Sequence, residues 1–336
     1  MSIHIGLIGG GNITGTHARA VSAVPGAKVA AFYGTNAAKL EQLQGEFGGT
    51  AYLTFDGFLA HRPMEIVIIG SPSGLHAEQG IAAAHRGLHV LVEKPLDIST
   101  QRADDLISAC ERSRVKLGVI FQDRLKPDIR ALKKLLAKRL LGKLLLADAH
   151  VKWYRPPEYY ARSRWRGTWS LDGGGALINQ GVHTLDLLLW LLGDARPLHA
   201  RVATLLHSIQ TEDTALALLE FSCGALGVFE ATTAAYPGYA RRVEISGTQG
   251  TVVLEDDRLA VAGMRDPPAD FVASQALGKN VSSSSPAIND VEGHLRIIVD
   301  FIDAVRSNGT PACDGYEGRR SLALVEQIYQ LGRHGV

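Results

Sequence analysis

Short unbroken apolar runs alternate with segments of helical period through the first third of the chain. Ile3–Gly9, Lys28–Tyr33, Glu65–Gly70, His89–Glu93 and Lys116–Phe121 read as strands buried on both faces. Between them Thr16–Ala23, Ala37–Glu46, Ala77–Arg86 and a segment from Ser99 to Arg114 carry apolar residues at helical spacing. Strands alternating with helices predict an α/β domain, a doubly wound parallel sheet of Rossmann type over residues 1–122. From Leu144 the period becomes two. Leu144–Tyr154, Leu198–Leu206, Thr214–Phe221, Ala225–Ala231, Arg241–Ser246 and Thr251–Glu255 alternate polar and apolar positions with few helices between them. That pattern predicts an α+β domain over residues 123–336, with a large, open, mostly antiparallel sheet covered on one face. Helices are expected at Pro127–Leu140, Val291–Arg306 and Gly318–Leu331, the last free to pack back on the first domain. Met264–Asp290, with its prolines and serine run, reads as a long loop.

Composition narrows the function classes. The chain has 336 residues and is 46% hydrophobic, enough for two substantial cores. Its 35 basic and 34 acidic side chains leave a formal charge of +1, with no electrostatic footprint for nucleic acid or an anionic membrane. Cys110, Cys223 and Cys313 show neither zinc spacing nor a disulfide framework, so no metal site is expected and a reducing cytoplasm suits the chain. The first residues enter a strand at once, and no apolar run is long enough to span a bilayer.

Candidate chemistry falls at the strand ends. The first strand runs into Gly9-Gly10-Gly11-Asn12-Ile13 and then a helix. Gly9 allows a tight turn, and Gly11 lets a pyrophosphate approach backbone N–H groups at the helix start. Thr14 stands where a third glycine would complete the motif. An acid after the second strand would select NAD by bonding the ribose. Gly34, Thr35 and Asn36 stand there instead, with Lys39 one turn on, a pattern that tolerates a 2′-phosphate and tilts the cofactor towards NADP. Ser71, Pro72 and Ser73 end another strand, where they can touch a cofactor, and His76 opens the next helix. Val90-Leu91-Val92 is a buried strand that ends in Glu93-Lys94-Pro95. Proline keeps Lys94 extended and permits a cis bond that turns the lysine off the strand. Ligands of open parallel sheets bind beyond such carboxyl ends, so Lys94 is a candidate catalytic residue. Gln122 and Arg124 follow the last parallel strand, Arg124 as a candidate substrate donor.

A second stretch, Gly173-Gly174-Gly175 through Asp186, contradicts helix stability at its start, since each glycine costs about 1 kcal/mol against alanine inside a helix. Asn179, His183 and Asp186 share one helical face at this spacing. Asp186 is therefore expected to orient the His183 imidazole as a carboxylate does behind a general base. Tyr154, Arg155, Trp165 and Arg166 precede this stretch, with Tyr159, Tyr160 and Trp169 among them, and offer stacking faces and cationic donors to a sugar ring, or to one bearing a carboxylate or a nucleotide diphosphate. Each aromatic is equally suited to an ordinary core.

Taken together, Gly9–Ile13, Ser71–His76, Glu93-Lys94-Pro95 and Gly173–Asp186 resemble the Gfo/Idh/MocA family of nicotinamide-dependent oxidoreductases, and the resemblance runs end to end. It implies a Rossmann domain followed by an α/β domain with an open sheet, in a homodimer or homotetramer. It implies that Lys94 and His183 face the nicotinamide of NAD or NADP and a polyol or sugar substrate, and that Pro72, His76, Glu93 and Gln122 line the cofactor. Many members carry an acid where this chain has Asn179, which cannot take up a proton, and an acid where it has Gly34. The expected reaction is oxidation of a secondary hydroxyl on a sugar, sugar acid, nucleotide sugar or cyclitol. His183 would remove the proton and Lys94 would hold the oxygen. Two other readings stay open: an NAD-dependent glycoside hydrolase acting by transient oxidation and elimination, and a non-catalytic cofactor sensor.

Overall fold

A computed structural model describes residues 2–267 and 291–334. The chain divides into two compact units, Met1–Gln122 with Ala287–Arg319, and Asp123–Pro286 with Arg320–Val336. The loop expected at Met264–Asp290 lies, beyond Pro267, outside the described residues.

The first unit contains β1 (Ile3–Ile8), α1 (Asn12–Ser22), β2 (Ala27–Tyr33), α2 (Ala37–Phe47), β3 (Thr50–Tyr52), α3 (Phe55–Leu59), β4 (Ile66–Ile69), α4 (His76–His85), β5 (His89–Glu93), α5 (Thr100–Arg112) and β6 (Leu117–Ile120). The strands form one parallel sheet in the order β3-β2-β1-β4-β5-β6. Every residue of β4 and β6 is buried, as the unbroken apolar runs demand of a sheet covered on both faces. Strand order reverses between β1 and β4, so the turns after Ile8 and Ile69 flank the crevice where doubly wound sheets bind ligands. Ser99 caps α5 by accepting from the Arg102 N–H at 3.4 Å. The short β3 was not expected; its three residues carry too little pattern to stand out.

The second unit contains α6 (Pro127–Ala137), β7 (Leu144–Lys152), α7 (Pro157–Ala161), α8 (Val182–Leu192), β8 (Ala195–Ala203), β9 (Thr214–Phe221), β10 (Leu226–Thr232), β11 (Arg242–Gly247), β12 (Gly250–Glu255) and β13 (Arg258–Met264). Among the described residues its strands run β13-β12-β11-β7-β10-β9-β8, each pair antiparallel except β7 with β10. Strand β13 adds an edge that the sequence pattern did not predict, and β8 begins three residues earlier than expected. Two closing helices follow, α9 (Val291–Ser307) in the first unit and α10 (Gly315–His334), which starts in the first unit and ends in the second.

Alternation decides which way this second sheet faces. Ala215, Ala217, Leu219 and Phe221 of β9 are buried, whereas Leu216 and Leu218 are 46% and 47% exposed. The buried face is rich in alanine, which lets α8 and the turn before it approach closely. One ion pair closes that layer. Arg124 donates to both carboxylate oxygens of Asp186 at 2.7 and 2.6 Å, and Ser321 Oγ of α10 adds a third bond at 2.8 Å. Arg124 is 2% exposed and Asp186 fully buried. Breaking such a pair strands the remaining charge, at a cost of about 3–5 kcal/mol. Asp186→Ala should therefore lower the unfolding free energy from urea titration by that much, and with it the midpoint, and Arg124→Met with Asp186→Leu together should recover most of it. An unchanged midpoint in the single variant would contradict this assignment.

Candidate active site

The first unit presents its candidate residues along the carboxyl ends of the strands. Gly9 takes φ 125°, a conformation closed to other residues, and donates its N–H to the Tyr33 carbonyl at 2.8 Å. A Cβ at Gly10 or Gly11 would meet nothing within 4 Å, so one side of the turn is open where α1 begins. Asn12 and Ile13 open α1, whose first N–H groups lack helical partners. Thr14 packs beneath Gly9 with its hydroxyl buried and without a hydrogen-bond partner. Gln122 likewise holds its Oε1 buried and without a partner. An open glycine turn and orphaned polar atoms at the strand ends fit a dinucleotide. Of the residues after β2, Gly34 is buried and Thr35 and Asn36 are exposed, with Asn36 Oδ1 capping α2 through the Lys39 N–H at 3.1 Å.

The Lys94–Pro95 bond is cis. Glu93, immediately before it, is the centre of a buried cluster. Its Oε1 lies 2.9 Å from His17 Nε2 of α1 and 3.3 Å from His294 Nε2 of α9. Its Oε2 accepts the backbone N–H of Lys94 at 3.2 Å. Burial pushes the carboxyl upward, but the two histidine hydrogen bonds win and hold it well below the carboxylate range. Burial also lowers the His17 pKa, against the pull of Glu93. The cluster is therefore a carboxylate with an uncharged His17, clamping the peptide that carries Lys94. The three ligand-type atoms lie within 4.8 Å of one another, and hydrogen bonds account for their spacing.

His76 and Glu93, expected to line a cofactor, are both buried and brace the strand ends. His76 is 1% exposed and spans the Pro95 carbonyl, at 2.9 Å, and the Ser71 carbonyl, at 3.0 Å. Ser71 Oγ donates to Gln79 at 2.6 Å, Pro72 precedes a single helical turn from Ser73 to Leu75, and Ser73 is buried. Asp97, which sequence pattern did not single out, is fully buried. It accepts from the Ala77 N–H at 2.8 Å and from Arg102 Nε at 2.6 Å. Arg102 in turn donates to the Gly74 carbonyl at 2.7 Å, tying the Ser73–Leu75 turn to the loop after Lys94.

In the second unit the glycine run is a seat for a buried acid. A Cβ on Gly175 would stand 1.7 Å from the Glu212 carbonyl oxygen, so only glycine fits. Glu212 accepts from the N–H groups of Gly175 and Leu177 at 3.0 and 2.8 Å and from the Tyr329 hydroxyl at 3.0 Å. Residues Ala176–Gly181 then form a π-helical turn before α8, a feature common at functional sites. Asn179 lies in this turn, out of the regular α-helical spacing that His183 and Asp186 keep in α8. Asn179 donates to Asp172 at 2.7 Å and accepts from Gln180 at 3.0 Å. His183 Nδ1 faces Asp123 at 3.9 Å. Asp186 is paired with Arg124, and a second carboxylate, Asp123, faces His183 Nδ1. Arg124, expected to touch substrate, is instead interior.

Asp123 is held at 2.8 Å by Arg241 and at 2.7 Å by Lys126. Burial raises its pKa, but Arg241, Lys126 and His183 together hold it far below the usual range. A fixed negative charge therefore stands behind His183. Tyr154 packs edge-on against Tyr236 with ring centroids 5.2 Å apart. Arg155 is buried over Trp153, and Arg166 lies over Trp165 at 4.8 Å.

Residues 3–121 match the oxidoreductase family with an NAD-binding Rossmann fold, and residues 129–253 match the GFO/IDH/MocA C-terminal domain. The chain belongs to the GFO/IDH/MocA family. The rhizopine catabolism protein MocA of Rhizobium meliloti is 30% identical over 73% of this chain and 76% of its own. Inositol 2-dehydrogenase of Rhizobium meliloti is 25% identical over 97% and 96%. The crystal structure of the WlbA dehydrogenase from Bordetella pertussis, in complex with NADH and UDP-GlcNAcA, superposes with a TM-score of 0.90 at 31% identity, covering 100% of this chain and 96% of that one. This GFO/IDH/MocA protein is a nicotinamide-dependent oxidoreductase with an NAD-binding Rossmann domain. Among the described residues, no helix is long and apolar enough to cross a membrane.

Burial pushes the Glu212 carboxyl up to about 7, against the bonds from Leu177, Tyr329 and Gly175. Its folded-state pKa thus exceeds the ordinary 4.5, so its stabilising contribution is whole below about 4.5 and is lost as pH rises to about 7. Unfolding free energies measured from pH 4 to 8 should fall more steeply for the parent than for Glu212→Gln, by an amount on the order of 3 kcal/mol. Parallel curves would contradict the assignment.

Proposed function

We propose that this enzyme oxidises a secondary hydroxyl of a sugar, sugar acid, nucleotide sugar or cyclitol, with Lys94 and His183 handling the proton and the oxygen. The observation that carries this reading is the buried Glu93 carboxylate, which accepts the Lys94 N–H and fixes a lysine at the carboxyl end of β5. Bound nicotinamide supplies the hydride acceptor. His183 takes the hydroxyl proton, and the Asp123 charge facing Nδ1 favours the imidazolium that results. The Lys94 ammonium stabilises the negative charge that grows on the oxygen. Asn179 holds no exchangeable acid proton and serves through its amide bonds to Asp172 and Gln180. The sugar class draws support from relatives described as inositol 2-dehydrogenase and as a dehydrogenase with bound UDP-GlcNAcA. NAD is one cofactor. Gly34 together with exposed Thr35 and Lys39 leaves room and donors for a 2′-phosphate, so we infer that NADP is accepted too, with a slight preference.

The expected result is steady reduction of NAD and NADP with at least one member of a panel of sugars, sugar acids, nucleotide sugars and inositols. Lys94→Ala should abolish that turnover while NADH still binds, as followed by fluorescence. Full activity in this variant would sink the assignment. Strict rejection of NADP would remove the cofactor preference alone.

The open face of the second sheet bears on assembly. Leu146, Leu216, Leu218, Leu226 and Val228 are between 38% and 49% exposed, and Leu226 pairs with Leu146 as Val228 does with Leu218. A contiguous apolar patch on neighbouring strands needs a cover. We propose that a second copy of this chain supplies it, since such a face is complementary to itself under two-fold symmetry. Sedimentation should show a dimer or tetramer for the parent and a smaller species for Leu218→Glu with Val228→Glu. A parent that sediments as a monomer excludes this.

A further inference from the structure

The turn between β12 and β13 is built against the easier choice of residue. Glu255 pairs with Arg258 across the ladder, which leaves Asp256 and Asp257 as the loop. Both take positive φ, 49° and 64°. A hairpin of this kind needs that conformation at both central positions, and glycine adopts it most readily. An aspartate stands at the second position instead. Its carboxylate meets two cations: Lys126 Nζ donates to Oδ2 at 2.6 Å, and Arg241 Nη2 donates to Oδ1. The turn is pinned on either side of that contact. The Asp256 N–H donates to the Arg241 carbonyl at 3.0 Å, and the Leu259 N–H donates to Asp128 Oδ2 of α6 at 2.9 Å.

Lys126 and Arg241 are also the two cations that hold Asp123. Asp123, Arg241, Asp257 and Lys126 thus close a ring in which each acid touches both bases. Asp123 and Arg241 are buried, and Asp257 and Lys126 are half-buried. Arg241 Nη1 also reaches the hydroxyl of Thr184, the residue after His183, at 3.4 Å. The charged groups facing His183 in this unit include Asp123, at 3.9 Å from Nδ1, with Lys126, Arg241 and Asp257 behind it; Asp186, further along α8, is paired with Arg124. Asp123 alone between two cations would leave a positive charge in excess beside a base that has to become a cation. The second acid cancels that excess. With two acids and two bases the ring carries no net charge, and the Asp123 carboxylate is left to favour the imidazolium.

We infer that Asp257 is a positioning residue for the His183 base: from the hairpin turn it shares Lys126 and Arg241 with Asp123, holds that carboxylate in place, and balances the charge behind the imidazole. This role depends on His183 being the base of the dehydrogenase reading above; the ring itself does not.

NMR titration of His183 separates the two. The protein with NADH bound is labelled with 15N-histidine, and the His183 signal is the one missing from His183→Gln. Asp257→Asn keeps a side chain that tolerates positive φ and removes only the charge. It should lower the His183 titration midpoint by about 0.5–1 pH unit, the effect of a nearby, partly screened charge. The acid limb of kcat/KM for sugar oxidation should move with it, with NADH affinity unchanged. Lys126→Met removes a positive charge and should raise the midpoint, and the two changes together should return it to that of the parent. A residue that served packing alone would not give opposite shifts that cancel. An unmoved midpoint in Asp257→Asn, or shifts of one sign in both variants, overturns the inference, and sugar oxidation by the parent then leaves the dehydrogenase standing. Opposite shifts with no sugar oxidised by the parent uphold the ring and overturn the dehydrogenase reading. If Asp257→Asn does not fold by circular dichroism, Lys126→Met decides the matter, and an unmoved midpoint there overturns the inference.

Discussion

A buried carboxylate held by three donors is the constraint on which the first unit turns. Left alone in an apolar interior, the Glu93 charge would cost several kcal/mol. It is held instead by His17 from α1, His294 from α9 and the peptide N–H of Lys94. One anion thereby ties together the helix that starts at the glycine turn, the strand end that presents the lysine, and a helix that arrives almost two hundred residues later in the chain. The geometry of Lys94 is the geometry of that cluster. His76 and Asp97 extend the same logic, each buried and each bonded to backbone on both sides of the Lys94 loop.

The second unit solves the same problem with acids in other roles. Glu212 sits where the N–H groups of Gly175 and Leu177 converge, and Gly175 is glycine because a Cβ there would meet the acid's own carbonyl. Asp186 is neutralised by Arg124 as part of the packing. Asp123 is surrounded by Arg241, Lys126 and His183, and it gives the histidine a permanent negative neighbour. Charges held by several partners at once are difficult to reorganise. That rigidity suits a site whose task is to keep donors and acceptors still while a proton moves.

The fold and the positions of Lys94, Gly9 and the glycine run were legible in the sequence, because they depend on local pattern. Unbroken apolar runs can only be strands covered on both faces, alternation can only be a sheet covered on one, and a lysine between a buried strand and a proline has nowhere to go but the strand end. Partner choice was not legible. Spacing set Asp186 near His183 in one helix, yet Asp186 pairs with Arg124, and a carboxylate sixty residues earlier than His183 faces its Nδ1. His17, His294, Asp97, Asp123 and Glu212 look like ordinary helix and loop residues until the chain folds. Their roles come from contacts between distant segments, and which buried charges meet is settled by the cost of leaving any of them alone. The sequence by itself determined the architecture and where along it chemistry belongs; only the tertiary structure decided which side chains act together, because neutralising a buried charge is a property of three-dimensional neighbours and not of spacing along the chain.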